Sequence, residues 1–233
     1  MIFTVIQPGY FSAITVIGKL LAADKIIWAD SFLYNKHSRI NRTQIKTVAG
    51  AKWLTIPVFS PGNPGMPIHN IRIDNHENWM KSHQRSIFLN YKNAAYYYYF
   101  SEDLERLFEK KRESLNELLR DVFDFTLKTL HYEKQIFPGK NLPEIKDRTE
   151  RIISWANALQ CDTFIIEPFE HQLVDIKKIQ KKGIQLLSFH TKEFNYYQEY
   201  GKFLFPLSIL DLLFHEGERA LSLMSQNCSL ADI

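Results

Sequence analysis

The chain has 233 residues, 45% of them hydrophobic, and its 29 basic and 26 acidic side chains leave a net charge of +3. That length and apolar content fill the core of one large or two small globular units, and the near-balanced charge excludes the broad basic footprint of a general nucleic-acid binder. Two cysteines, Cys161 and Cys228, lie far apart in no metal-ligand spacing, so neither a disulfide framework nor a structural zinc is expected and a reducing cytoplasm fits.

The chain opens with a short apolar run, Ile2 to Ile6, that breaks at Gln7-Pro8-Gly9-Tyr10-Phe11 before a helix-like stretch from Ala13 to Ala23. The run is too short and too soon interrupted for a signal peptide, and no later one reaches the ~18 to 20 apolar residues of a membrane span. A cytoplasmic location is therefore expected. A buried strand ending in a polar turn before a helix is where open α/β sheets build ligand sites. Lys25-Ile26-Ile27-Trp28 reads as a second strand covered on both faces. The polar stretch from Asp30 to Gly50 carries Lys36, Arg39, Arg42 and Lys46, and Lys52 to Val58 reads as a strand. Ser60 to Pro67, with three prolines and two glycines, has loop chemistry, and Ile68 to Asp74 alternates imperfectly as an edge strand.

Helical periodicity runs from Asn78 to Tyr91 and again from Ser101 to Tyr132. Phe137 to Pro143 is punctuation. Asp147 to Leu159 predicts a helix with Asp147 as N-cap and Glu150 completing a capping box. Thr163 to Ile166 predicts a strand, about Leu173 to Lys182 a helix closed by Gly183, Ile184 to Ser188 a strand, and Ser208 to Met224 a final helical segment. The alternation predicts an α/β fold over residues 1–233 as a single domain: a Rossmann-like, mostly parallel open sheet with a helical insertion at about 78–132 and a C-terminal helical segment.

Several stretches, taken in order, resemble the WbqC-like protein family. They are Gln7 to Phe11, Tyr34 to Arg42 with Asn41-Arg42, Gly50 to Val58 with Trp53 to Val58, Asp74 followed by Trp79, and Leu207 to Phe214. The resemblance covers nearly the whole chain. It implies a role among the enzymes of O-antigen and other surface polysaccharides, and a glycyl or acyl transferase acting on an amino sugar has been proposed for a member. The chain departs from the family pattern at Ser12-Ala13, where Pro-Trp is common, and at Glu167-Pro168, which replaces a Ser-Gly turn.

Candidate site residues follow from residue chemistry. The Gln7 amide both donates and accepts, and Tyr10 adds a hydroxyl and a ring face suited to a sugar or nucleobase; a strand-ending turn explains the same residues without a ligand. Arg39 and Arg42 carry forks that match phosphate oxygens, with Asn41 beside them, against the alternative of a solvated basic loop. Asp147-Arg148-Thr149 could hold a phosphate at a helix start, but the cap explains them and Asp147 repels an anion there. His69, His76 and His83 recur every seven residues across a strand and a helix, which is no metal geometry; His83 alone is the candidate general base. The Tyr96 to Phe100 run reads as core at a helix junction. Asp211, inside an apolar helix, needs a buried partner.

No Gly-rich phosphate loop, Gly-x-Ser-x-Gly elbow or His-Glu-x-x-His motif is present. Catalysis would then rest on positioning. The reading is a transferase moving an aminoacyl or acyl group onto an amino-sugar nucleotide, bound by Gln7, Tyr10, Arg39, Asn41 and Arg42. No metal is expected, the donor is left open with ATP or another activated carrier each suiting the basic loop, and the oligomeric state is left open. The alternative is a non-catalytic nucleotide- or sugar-binding protein assisting an assembly.

Overall fold

The computed structural model describes residues 1–59 and 65–233. In chain order the elements are β1 (Ile2–Ile6), α1 (Ile14–Leu20), β2 (Lys25–Trp28), β3 (Arg42–Thr47), β4 (Gly50–Thr55), β5 (Val58–Phe59), β6 (Arg72–Ile73), α2 (Trp79–Tyr91), α3 (Tyr97–Glu109), α4 (Leu115–Thr129) and β7 (Gln135–Pro138). There follow α5 (Arg148–Leu159), β8 (Thr163–Ile166), α6 (Ile176–Lys181), β9 (Gln185–Thr191), α7 (Ile209–Glu216), α8 (Arg219–Asn227) and β10 (Cys228–Asp232). The result is a mixed α/β structure with a mostly parallel central sheet.

Six strands form that sheet in the order β10-β9-β8-β1-β2-β7. All pairs are parallel except β9 with β10. β1 lies inside the sheet because the chain first adds β2 and β7 on one of its edges and then crosses to add β8 and β9 on the other. Strand side chains alternate between faces, and the core divides accordingly. Ile26 and Trp28 join the cluster shared with α1, α2, α3, α4 and α7, whereas Ile27, Phe3, Phe164 and Ile166 pack with Ile152, Trp155, Ala156 and Ile179 from α5 and α6. Burial on both faces is why β1, β2 and β8 read as continuous apolar runs.

The structure corrects several boundaries. The strand expected from Lys52 to Val58 is broken, since Pro57 has no N–H to continue the ladder; β4 ends at Thr55 and β5 is a two-residue strand paired with β6. The edge strand expected over Ile68 to Asp74 begins as a 3-10 turn at Ile68–Asn70. The loop expected over Ser60 to Pro67 falls mainly on residues 60–64, outside the described residues. Lys177 to Lys182 belongs to a shorter helix than expected, preceded by a 3-10 stretch at Pro168–Leu173 and capped by Asp175, which accepts from the Lys178 N–H at 2.9 Å. The strands β3, β7 and β10 were not expected from the sequence. α5 starts where expected, with the Asp147 carboxylate accepting from the Glu150 N–H at 2.8 Å, but the expected capping box is only half made, because the Glu150 carboxylate turns to Lys178.

Helices α2, α3 and α4 stand between β6 and β7 and account for the helical stretch at 78–132. The tyrosine run is only half core. Tyr97 and Phe100 are buried, but Tyr96, Tyr98 and Tyr99 are exposed, so three of the five rings are not core. The insertion is tied to the C-terminal helices by Asp211 of α7, which is fully buried. Its carboxylate accepts from Tyr91 Oη (2.8 Å), Tyr196 Oη (2.6 Å) and Gln198 Nε2 (2.8 Å). Tyr91 Oη in turn accepts from the Lys46 backbone N–H at 3.0 Å, so one carboxylate joins α2, α7, the 192–207 segment and the β3–β4 hairpin. Burial raises the Asp211 carboxyl above the usual carboxylate range, and the donors from Tyr196, Tyr91 and Gln198 work against that rise.

Removing this acceptor leaves the buried hydroxyl protons of Tyr91 and Tyr196 without their acceptor, whereas Gln198 Nε2 keeps the Leu204 carbonyl. Asp211→Ala is expected to lower the unfolding free energy by about 3 kcal/mol, measured as a shift in the urea midpoint at unchanged slope; a loss within experimental error would show that the network holds nothing together.

Candidate functional site

The carboxyl ends of β1 and β8 are where the strand order turns back, and ligand crevices of open α/β sheets lie outside such a point. A cavity of about 290 Å³ opens there, lined by Gln7, Ser12, Lys19, Arg39, Glu167 and Glu170 among others. A second cavity of about 670 Å³ adjoins it over the ends of β2 and β7, lined by Phe32, His69, Lys140, Lys146, Arg151 and Trp155 among others. Gln7, Phe32 and Arg148 line both. The two are compartments of one cleft, in the size range of small-molecule sites.

Each wall has a local cause. Gln7 follows the last residue of β1 and is exposed, because the chain turns at Pro8-Gly9 and then sends Tyr10 and Phe11 into the core. Gly9 sits close under Ser12 at that turn: a Cβ there would stand 2.7 Å from Ser12 Oγ and would displace that hydroxyl. Lys19 of α1 is buried and its ammonium donates to Glu167 Oε1 at 2.8 Å. Glu167 follows β8 directly. Its backbone N–H donates to Glu170 Oε2 at 3.2 Å, and Glu170 Oε1 accepts from Arg148 Nη1 at 3.2 Å. Two ion pairs, Lys19–Glu167 and Arg148–Glu170, therefore run from α1 past the end of β8 to α5, with the two carboxylate residues joined through the Glu167 backbone N–H.

The far wall rests on Asp30. Its buried carboxylate accepts from the Lys140 backbone N–H at 2.9 Å and from Asn116 Nδ2 at 3.4 Å, which holds the turn after β7 against the end of β2. Gly139 makes that approach feasible, since a Cβ would lie 2.9 Å from the Trp28 carbonyl oxygen. The Arg151 guanidinium lies 4.7 Å from the Phe32 ring centre and 5.5 Å from that of Trp155.

The expected site residues are divided by this geometry. Gln7 and Arg39 line the smaller compartment together. The loop from Arg39 does face the Gln7 turn, with the Tyr10 N–H donating to the Ile40 carbonyl at 2.9 Å. Arg42 is used within its own loop: Nε donates to the Ser38 carbonyl at 3.0 Å, Nη2 to the His37 carbonyl at 2.6 Å, and the guanidinium lies 4.6 Å from the Trp53 ring centre. Asn41 is buried and ties the base of the β3–β4 hairpin, donating from Nδ2 to the Ile56 carbonyl at 2.8 Å. Tyr10 is buried and meets His83 Nδ1 at 3.0 Å.

His83 lines a separate cavity with Thr55, Pro57 and Trp79, of about 260 Å³, and stands edge-on to the Trp79 ring. Burial pushes its pKa down from 6.5 to about 4, with Lys52 adding to the fall and a hydrogen bond to the Thr55 backbone opposing it. Neither Tyr10, Asn41, Arg42 nor His83 lines the two-compartment cleft. Lys19, Glu167, Glu170, Arg148 and Arg151 do, and were not chosen from the sequence. Glu167 carried a usable signal, as the first residue after the strand that pairs with β1. Among the described residues no group of three or more His, Cys, Asp or Glu is placed to hold a metal ion, and no helix is long and apolar enough to cross a membrane.

Fold and cleft together define a mixed α/β protein with a ligand-sized crevice at the carboxyl edge of its parallel strands. The chain belongs to the WbqC-like protein family, whose model matches residues 7–223. It is similar to the uncharacterized protein Rv1507c of Mycobacterium tuberculosis, with 27% identity over 214 residues that cover 91% of this chain and 90% of that one. No solved structure matches. Membership of the family suggests a role related to polysaccharide biosynthesis.

His83 carries a pH signature. Its folded value lies below its ordinary one, so its contribution to stability is complete above pH 6.5 and is lost as pH falls through about 4. The loss amounts to about 3 kcal/mol for a shift of this size. Urea unfolding of the protein and of His83→Gln at pH 7, 5 and 4 is expected to show a shallower acid dependence in the variant; parallel curves would contradict the assignment.

Proposed function

We propose that the protein is a sugar-modifying transferase of surface-polysaccharide (O-antigen) biosynthesis, moving a glycyl or other acyl group onto the amine of an amino-sugar nucleotide. The observation that carries this reading is the division of the cleft into two compartments that share Gln7, Phe32 and Arg148. A transfer between two bound molecules needs two adjoining sites, and gains most of its rate from holding them in line. The strand order β7-β2-β1-β8-β9, parallel throughout, supports treating the sheet as Rossmann-like and residues 1–233 as a single domain.

The chemistry assigned to the smaller compartment is amide formation. The sugar's amine nitrogen attacks the acyl carbon of an activated donor, such as an acyl phosphate or adenylate made from ATP; the C–N bond forms, the C–O bond to the phosphate breaks, and the phosphate leaves. The amine's ammonium proton must go to a base. Glu167 takes that place in the proposal, since its carboxylate lines the compartment at the end of β8 and is partly open to solvent. Lys19 holds it in position. His83 is not assigned the role, because it lines another cavity. Gln7 and Arg39 contact the sugar, and Tyr10, Asn41 and Arg42 support the turn and hairpin that present them.

Incubation with a panel of amino-sugar nucleotides, ATP and glycine, followed by mass spectrometry, is expected to give a sugar nucleotide heavier by one glycyl residue. Glu167→Gln is expected to lower kcat by about 10²-fold, the usual scale for a lost general base. Stabilisation of the protein by the sugar nucleotide without product from any donor would replace this reading with that of a non-catalytic binding protein.

A further inference from the structure

The larger compartment has a charge pattern that the transfer reading does not use. Lys140 and Lys146 come from the turns after β7, and Arg148 and Arg151 from the first turns of α5. Glu144 is the one carboxylate-bearing residue in the lining beside them. Asp30 lies beneath the wall, but its oxygens are occupied by the Lys140 N–H and by Asn116. Among the described residues, Arg148 has a carboxylate partner in Glu170, on the side of the smaller compartment. Lys140, Lys146 and Arg151 have none within ion-pair distance.

Arg151 is the most informative of the four. It is half-buried, its guanidinium packs against Phe32 and Trp155, and its strongest protein hydrogen bond is a long one from Nη1 to the Ile145 carbonyl, at 3.4 Å. A half-buried fork without a carboxylate costs free energy in the empty protein. Burial, and then Arg148, press its pKa below the ordinary value, and the nearby carboxylates of Asp147 and Glu170 offset this only in part. Arg148 and Arg151 are three residues apart on one face of α5, so their forks converge on the same space, and such forks match phosphate oxygens two at a time.

We propose that this compartment is a diphosphate-binding subsite formed by Lys140, Lys146, Arg148 and Arg151. It rests on the transfer reading for one point, that the diphosphate belongs to a sugar nucleotide; the sugar then reaches past Gln7 and Phe32 into the smaller compartment. The subsite lies on the β7 and α5 side of the cleft, opposite the Arg39 to Arg42 loop where the sequence alone would put a phosphate. Arg42 has already committed its Nε and Nη2 to loop carbonyls. Arg151 has made no comparable commitment.

Titration calorimetry with inorganic pyrophosphate, UDP and ADP tests the assignment. Pyrophosphate is expected to bind, more weakly as salt is raised, and UDP or ADP to bind more tightly where a nucleoside is also recognised. Arg151→Gln, and separately the double variant Lys140→Gln/Lys146→Gln at two exposed positions, are each expected to weaken pyrophosphate binding at least about tenfold, or 1.4 kcal/mol. Arg39→Gln is expected to leave it within about twofold, less than 0.5 kcal/mol. Circular dichroism confirms that each variant is folded. Failure of the unaltered protein to bind pyrophosphate, unchanged binding in the lysine double variant, or weakening by Arg39→Gln alone would overturn the subsite. Its failure is separable from that of the transfer reading: pyrophosphate bound by these residues without product in the mass assay leaves the subsite standing, whereas product formation with a KM indifferent to the lysine variant removes the subsite alone.

Discussion

Everything in this structure depends on β1 being paired on both edges and buried on both faces. A strand in that position has its ladder filled by β2 on one side and β8 on the other, so the chain leaving its carboxyl end has no in-plane path. β2 is reached through α1, and β8 only after the chain has passed through β7 and α5. The connections therefore diverge above Ile6, and Gln7 is left standing in the gap they leave. The cleft is a consequence of topology before it is a consequence of any side chain, which is why its floor is apolar strand ends and its chemistry sits on the rim.

The rim is held by a second constraint, the need to satisfy polar groups that the topology buries. Asp30 and Asp211 do this with different donors. Asp30 uses a backbone N–H and an asparagine to pin the β7 turn, which fixes where Lys140 emerges. Asp211 collects hydroxyls from Tyr91 and Tyr196 and an amide from Gln198, with no arginine in the set. Through Tyr91 it also fixes the β3–β4 hairpin, and through that hairpin the loop bearing Arg39. A buried carboxylate satisfied by neutral donors locks geometry without adding a second desolvated charge, so both walls of the cleft rest on such anchors.

How much of this could be read from the sequence follows from where each element is buried. β1, β2 and β8 are covered on both faces, so their apolar runs are unbroken and legible. The cap of α5 is local chemistry, and Asp147 announces it. β3, with sequence Arg-Thr-Gln-Ile-Lys-Thr, is paired only in a two-stranded ribbon; it buries Thr43, Ile45 and Lys46 by tertiary packing, and nothing in its composition says strand. β7 is an edge strand ending in Pro138, which sheets accept only at an edge or an end. The site was half legible: Gln7 and Arg39 could be found from the turn and the basic loop. Arg148 is visible within the Asp147-Arg148-Thr149 helix start but is explained there equally well by the cap, and Arg151 is not visible at all, because a helix's first turn shows its cap in sequence but not the direction its side chains take once the helix packs on a sheet edge.

The divided legibility has a physical meaning for the charges themselves. The two pairs Lys19–Glu167 and Glu170–Arg148 are assembled from α1, the end of β8 and α5, and the first of them joins residues 148 positions apart. Each member alone would be an expensive buried or half-buried charge; together they are paired, and the run ends on Arg148, whose neighbour Arg151 is left without a carboxylate. The two pairs cancel, so the charge left over at this end of the cleft is the Arg151 cation on the wall of the larger compartment. The smaller compartment, by contrast, is lined by both signs, with Glu167 and Glu170 beside Lys19, Arg39 and Arg148. The larger one sets Lys140, Lys146, Arg148 and Arg151 against Glu144, so an anionic group gains more on the α5 side of the cleft than at the end of β8.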